Sequence, residues 1–370
     1  MLAKELGFDP RVALLRLATV RGLLVPGLAA LRALLLPGCN GVWRSSSADR
    51  VPAIPAVTDV VVHSRLSSRV VLNPVPAGVQ GDKGLGWARA GDLALAPAQR
   101  PQNEELSVPA GEPLDLFLIL INQIGRSRTF LVTAFLDYEQ VPFEVDGTSG
   151  ILHEVTVPSP AEINLPLRLK ANGTGAHDLI LVAFADLYDH PLDPRQRESD
   201  QGSIIGRRAV IVVGDRNQPV RSLTPVAFGR EAPPKLPLVP IRLGFANAPK
   251  GQMSHPSERY ITFAQAPPGQ GFAYQIWATN FGNDQADTFN YALVGFLDFH
   301  QIDLVQPLVT VAQVGPGQEV VLDARVDVPN SPSIHELQVV YVFDPYKSVL
   351  RKEVVMPFVF SSPRLGLDAR

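Results

Sequence analysis

The sequence predicts an all-β fold, two antiparallel β-sandwiches in tandem behind a helical N-terminal leader. Three observations predict it. One block of chain occurs twice, each copy divides into short apolar runs, and 34 prolines and 29 glycines punctuate the 370 residues. The proline share is near twice the average of about 5%, which disfavours long helices and favours turns between strands.

The duplication is clearest in His177-Asp-Leu-Ile-Leu-Val-Ala-Phe-Ala-Asp186-Leu-Tyr188 and His335-Glu-Leu-Gln-Val-Val-Tyr-Val-Phe-Asp344-Pro-Tyr346. In both, an Asp follows the His by nine positions and a Tyr comes two later. Upstream, Gly111 leads an apolar run to Asn122, and Gly269 leads one to Asn280, with the same spacing of eleven. Ala134-Phe-Leu-Asp137-Tyr-Glu-Gln-Val141 then matches Gly295-Phe-Leu-Asp298-Phe-His-Gln-Ile302, and Pro160–Leu169 matches Pro316–Val326. Arg207–Val213 and Arg351–Val355 supply a closing strand, and Asp92–Ala96 an opening one in the first copy. Matching blocks in one order mark an internal repeat.

Each copy offers roughly six or seven strand candidates over about 120 residues, the spacing of an antiparallel sandwich. Period-two alternation puts Leu337, Val339, Tyr341 and Phe343 on one face and Glu336, Gln338, Val340 and Val342 on the other. The same rule separates Tyr274, Ile276 and Ala278 from Gln275, Trp277 and Thr279. Gly269-Gln270, an apolar strand, Asn280-Phe-Gly282, Gly315-Pro-Gly-Gln318, then His335-x-Leu-x-Val339 before Asp344-Pro345 and Glu353 follow one another in the second copy. This order resembles the bacterial cell-adhesion-related repeat domain. The first copy matches less well, having Asp186-Leu in place of Asp-Pro and an insertion at 189–204. The resemblance implies immunoglobulin-like sandwiches in an extracellular protein, serving as spacers or binding modules without shared catalytic residues.

Residues 1–50 carry a net charge of +4 from seven Lys and Arg against Glu5, Asp9 and Asp49, and the remainder is −7. A mildly acidic body lacks the basic footprint that phosphate backbones require, so nucleic acid is a poor partner. The apolar run 22–31 follows a basic region and leads to Leu36-Pro-Gly38-Cys39, which reads as an export signal. Leu36, Gly38 and Cys39 resemble the bacterial lipoprotein signal, which implies cleavage before Cys39 and lipidation of its thiol. Pro37, Arg32 and the acidic Glu5 and Asp9 depart from that pattern. The rivals are an uncleaved anchor, for which Arg16, Arg21 and Arg32 interrupt the leucines, and a cytosolic amphipathic helix.

The expected organisation is a signal or helix over 1–39, then a Pro/Ser-rich tether over 40–90 in which Thr58–His63 and Arg69–Leu72 add strands. The first sandwich spans 91–214, a Pro-rich linker 215–236, the second sandwich 237–361 and a tail 362–370. The linker prolines favour an extended, semi-rigid spacer.

Candidate chemistry is sparse. His177 and His335 start strands without a second repeated ligand at metal spacing, so they read as structural rather than zinc-binding. Asp137 and Asp298 suggest paired carboxylates, but equivalent positions in two sandwiches need not meet, and turn roles are favoured. His335 and Asp344, nine residues apart on an extended strand, lie about 30 Å from each other and cannot share a chemical event. Asp186, Asp189 and Asp193 are calcium candidates, weighed against a solvated acidic loop. Trp277 is a candidate platform for a sugar or peptide, weighed against core packing. The sequence therefore leads to a non-enzymatic extracytoplasmic binding, adhesion or display protein of a bacterial cell envelope. It is lipid-anchored through Cys39 or secreted, needs no cofactor, and meets a protein or glycan partner. The alternative is a non-catalytic accessory subunit of an enzyme or membrane complex.

Overall fold

The computed structural model describes residues 57–74, 83–95, 105–186, 204–215, 223–231, 241–246, 261–280, 288–346, 359–360 and 364–370. Cys39, the leader, Asp189, Asp193, Tyr188 and Arg351–Val355 lie outside these residues. The described residues all fall within one compact unit.

The first repeat runs through β1 (Val60–Val62), β2 (Val71–Pro74), β3 (Lys83–Ala88), β4 (Glu105–Val108), β5 (Leu114–Asn122), β6 (Arg128–Leu136) and β7 (Glu139–Val141). A small hairpin, β8 (Phe143–Val145) and β9 (Thr148–Gly150), precedes β10 (Leu152–Val157), β11 (Ala161–Leu169), β12 (Gly175–Ala185) and β13 (Ile204–Val213). The second repeat runs through β14 (Ala227–Phe228), β15 (Arg230–Glu231), β16 (Ile241–Phe245), β17 (Phe263–Gln265), β18 (Gly271–Thr279), β19 (Phe289–Leu297) and β20 (His300–Ile302). It continues through β21 (Thr310–Val314), β22 (Gln318–Asp327), β23 (Ile334–Phe343), β24 (Val359–Phe360) and β25 (Arg364–Asp368).

Strand pairing makes the two repeats equivalent almost throughout. One sheet has the order β10-β6-β12-β13 in the first repeat, and β21-β19-β23-β25 holds the same places in the second. The facing sheets are β3-β5-β11 and β16-β18-β22. Even the parallel additions repeat: β4 runs parallel to β13 as β17 does to β25, and β1 parallel to β10 as β14 does to β21. These are two immunoglobulin-like sandwiches, each closing over an apolar core contributed by alternate residues of its two sheets. Leu118, Leu120, Phe130, Val132, Leu165, Leu179 and Leu181 fill the first core. Tyr274, Ile276, Leu293, Leu322, Leu337, Val339 and Tyr341 fill the second.

A third core lies between the sandwiches. The outer faces of β6 and β12 meet those of β19 and β23, burying Phe135, Ile180, Val182, Phe184, Phe296, Val340 and Val342 together. Val340 and Val342 thus occupy the face opposite Leu337 and Val339, as alternation requires, and that face packs on the sister repeat. A single strand pairing through β24 links β13 to β23 along the same seam. The spacer expected over 215–236 accordingly does not hold the sandwiches apart. Where described, it supplies β14 and β15, which pair with β21 and β22.

Three other expectations need correction. Asp92–Ala96 is no strand where described: Ala90–Asp92 form a single 3-10 turn, and β4 instead runs beside β13. The closing strand of the second repeat is β25, inside the expected tail; Leu365 and Leu367 are buried there because alternate residues of Arg364–Asp368 face the second core. The expected tether contributes β1 and β2, as the β-branched runs suggested, and also β3, whose Trp87 is buried in the first core.

Candidate functional site

The repeated polar residues gather at the two ends of the central strands β12 and β23. At the start of each strand sits a hairpin with a two-residue loop. Leu136 pairs with Glu139 across Asp137-Tyr138, and Leu297 with His300 across Asp298-Phe299. All four loop residues have positive φ, 54° and 72° in the first repeat and 49° and 70° in the second. Such primed turns match the twist of the flanking strands but strain any residue except glycine, so something must compensate them.

The compensation comes from the Asp side chains. The Asp137 backbone N–H donates to the Asp178 carbonyl at 2.9 Å, and its Oδ1 accepts from the Asp178 N–H at 3.1 Å. Its Oδ2 accepts from His177 Nδ1 at 2.7 Å. In the second repeat Asp298 does the same with Glu336, at 3.0 and 2.9 Å, and with His335 Nδ1 at 2.5 Å. Each Asp therefore extends the ladder by one rung, and each His clamps the Asp. The repeated His and Asp meet across neighbouring strands rather than along one.

The second repeat adds hydroxyls. His335 Nε2 lies 3.2 Å from Ser331 Oγ, 3.1 Å from Ser333 Oγ and 3.1 Å from the Ser331 carbonyl oxygen. A Ser–His–Asp chain is therefore present in outline. In an acyl-transfer site the His nitrogen facing the serine must carry a lone pair to take its proton. Here the Ser331 carbonyl oxygen draws a proton onto Nε2, so the ring donates from both nitrogens and acts as a clamp. Burial draws the His335 pKa down, but the hydrogen bond and charge of Asp298 and the Ser331 carbonyl outweigh it, leaving the pKa raised above 6.5. The folded protein therefore favours charged His335. The stabilisation this gives is full below about pH 6.5 and fades as pH rises through the higher folded value. Urea denaturation should accordingly show His335→Asn destabilising the chain more near pH 6 than near pH 9.

In the first repeat glycines 173 and 175 stand where Ser331 and Ser333 stand in the second. His177 Nε2 is buried without a hydrogen-bond partner, so the hydroxyls are an addition to a shared His–Asp clamp.

One residue beyond each His is a buried acid. Asp178 forms a two-pronged pair with Arg208, Oδ1 to Nε at 2.9 Å and Oδ2 to Nη2 at 3.0 Å. Its Oδ2 also accepts from the Tyr138 hydroxyl and the Tyr346 N–H, each at 2.6 Å. Burial and the adjacent Asp178 hold the Tyr138 hydroxyl pKa well above its ordinary range, so it stays a donor. Arg208 reaches on to the carbonyls of Phe343 and Asp344, at 2.7 and 3.2 Å, tying the first sandwich to the far end of β23. Glu336 and Arg364 hold the equivalent places, 3.8 Å apart.

The seam is nearly symmetric. Gln140 N–H donates to Gln301 Oε1 at 2.7 Å, and Gln301 N–H donates to Gln140 Oε1 at 2.9 Å. Their amides donate to the carbonyls of Phe299 and Tyr138, at 3.2 and 2.7 Å. The repeated Gln of the Phe-Leu-Asp-aromatic-x-Gln string is thus an interface residue, and the repeats face each other as in a two-fold dimer.

The Asp nine residues beyond each His ends the strand. Asp186 and Asp344 both have positive φ, and their N–H groups donate to Thr129 and Asn290 carbonyls at 2.9 and 2.8 Å. Asp186 also pairs with Arg128 at 2.9 Å and Arg126 at 3.3 Å. That carboxylate is engaged by cations rather than open to calcium, and among the described residues no group of three or more His, Cys, Asp and Glu could hold a metal ion. Trp277 is 5% exposed, opposite Arg242 and Val321 on its neighbouring strands, so it offers no platform. An open cleft of about 630 Å³, lined by Gly269, Gln270, Arg325, Asp327 and Asn330, lies on the loops preceding β18 and β23. No helix among the described residues is long and apolar enough to cross a membrane.

No protein-family model matches the chain, and no curated protein matches it by sequence. Among solved structures it resembles red sea bream transglutaminase, at 12% identity and a TM-score of 0.20, over 73% of this chain and 30% of that one. The PapD-like domain 7 of human CEP192 is similar at 11% identity and a TM-score of 0.21, over 42% of this chain and 99% of that one. The fibronectin(III)-like modules of Clostridium thermocellum CbhA are similar at 10% identity and a TM-score of 0.17, over 73% and 91%.

Proposed function

We propose that the chain is a non-catalytic display module of a bacterial cell envelope, lipidated at Cys39 and presenting a pair of sandwiches to a protein or glycan partner. One observation carries the non-catalytic reading. The repeated His and Asp residues engage the backbone or one another, closing turns and fixing the ends of β12 and β23. A reactive pair would instead aim its free nitrogen at a substrate cleft. The fused, nearly symmetric pair of sandwiches suits display, because a shared core of aromatic and aliphatic side chains holds both in one orientation.

Metabolic labelling with radioactive palmitate in a bacterial host tests the anchor. Label on the wild type and none on Cys39→Ala is the expected result, and an unlabelled wild type would remove the lipid anchor from the proposal.

A further inference from the structure

The segment from Val57 to His63 crosses both sandwiches. Val57 and Val60 pack against the core shared by the two repeats, and Thr58 Oγ1 lies 3.3 Å from His300 Nε2 in the second. Its own strand, β1, has only three residues, sits at the sheet edge beside β10, and leaves Val62 59% exposed. So short an edge strand belongs to the low-stability end of any fold.

Two histidines fasten it. His63 Nε2 lies 2.9 Å from His153 Nδ1, with the rings stacked at 5.2 Å between centroids. His153 Nε2 lies 3.0 Å from the Phe143 carbonyl and 3.1 Å from that of Gly150. Carbonyls only accept, so Nε2 of His153 carries the proton and Nδ1 a lone pair that accepts from His63 Nε2–H. One further proton can be held on His63 without breaking this bond. A second, on His153 Nδ1, sets two N–H groups and two positive charges against each other.

The second repeat serves as an internal control. β14 occupies the place of β1 along β21, and neither β14 nor β21 contains a histidine. The strand arrangement therefore does not require the pair, which among the described residues is present in the first repeat alone of the two.

We propose that residues 57–63 form an acid-released strap, with the His63–His153 pair as its latch. Burial lowers the pKa of both rings, that of His153 to about 4, so the docked strap favours the neutral pair. Protons bind the undocked state better, and acid shifts the population toward it. The charged residues on elements around the pair are few. Asp146 on the turn between β8 and β9 favours a proton on His63. Arg69 lies against the same turn, at Gly147. Glu144 is on β8, Glu154 follows His153 on β10, and Asp59 heads the strap. β6, beyond β10, carries only Arg128, at its far end opposite Val157.

Hydrogen exchange by mass spectrometry on the full chain, between about pH 7 and pH 4.5 and corrected for intrinsic rates, tests the latch. The expected result is exchange of residues 60–63 at least about ten-fold faster in acid, with β12 and β23 still protected. His63→Gln keeps a donor toward His153 but cannot charge, and its amide oxygen can accept if His153 gains a proton, so its strap should open in acid less than the wild type. Gly150→Ala places a methyl 2.6 Å from Val61 Cγ2 and should free the strap already at neutral pH. Unchanged exchange of the wild-type strap in acid, equal loss in β12 and β23, or an undiminished response in His63→Gln would each overturn the proposal.

Discussion

Arg208→Met is expected to lower the unfolding free energy by about 3–5 kcal/mol, the cost of leaving a buried charge without its partner. Asp178 is fully buried and Arg208 is 4% exposed, so water cannot replace the missing guanidinium. The Tyr138 hydroxyl and the Tyr346 N–H would still donate to Asp178, but neither carries a charge. The substitution also removes the Arg208 donors from the Phe343 and Asp344 carbonyls at the end of β23, so the loss should spread into the second sandwich. Adding Asp178→Asn to Arg208→Met should recover part of the stability, since the orphaned charge is removed. The companion Glu336–Arg364 pair, at 3.8 Å, has looser geometry, and Arg364→Met should cost less. Denaturant melts of these variants beside the wild type check this order.

Phe296→Ala should be comparably costly, about 3–5 kcal/mol, because it returns apolar surface to water and leaves a cavity in the seam. Its ring is wholly buried, edge-on to Phe135 at 5.2 Å and to Phe184 at 5.5 Å between centroids. All three belong to the core between the sandwiches, and each sandwich keeps its own core intact. The wild type should therefore unfold in one calorimetric transition, and Phe296→Ala should separate it toward two. A seam that contributed little would leave the wild type with two transitions already, and Phe296→Ala would shift neither.

Much of this architecture is legible in the sequence, because strand alternation and duplication are local patterns. The split of Leu337, Val339 and Tyr341 from Val340 and Val342 follows from period two alone. What the second face packs against does not, since a valine turned toward a sister domain looks like any other. The same limit hides the seam role of Gln140 and Gln301, although their repetition is visible. The sequence singles out His335 and Asp298 without joining them, because their pairing depends on the register of β19 against β23. The two-residue turn led by Asp in both repeats is visible between apolar runs, but it fixes only the hairpin of β19 with β20 and leaves the β19–β23 register open. The β-branched run Arg351–Val355 reads as the closing strand, yet Arg364–Asp368 takes the place beside β23. The repeat itself holds the corrective clue: Arg208 stands opposite Ile180 as Arg364 stands opposite Gln338. Trp277 alternates onto the face of β18 opposite Tyr274 and Ile276, and it is buried, as packing rather than a ligand platform requires.

The clamp at His335 separates a structural module from a hydrolytic one, because both would place Ser333, His335 and Asp298 within hydrogen-bond reach. Nitrogen-15 NMR of the histidine side chains near neutral pH reads the proton on Nε2 directly. The account predicts that His335 carries protons on both nitrogens, with Nε2–H donated to the Ser331 carbonyl. A neutral ring with its lone pair on Nε2, facing the serine hydroxyls, would contradict it.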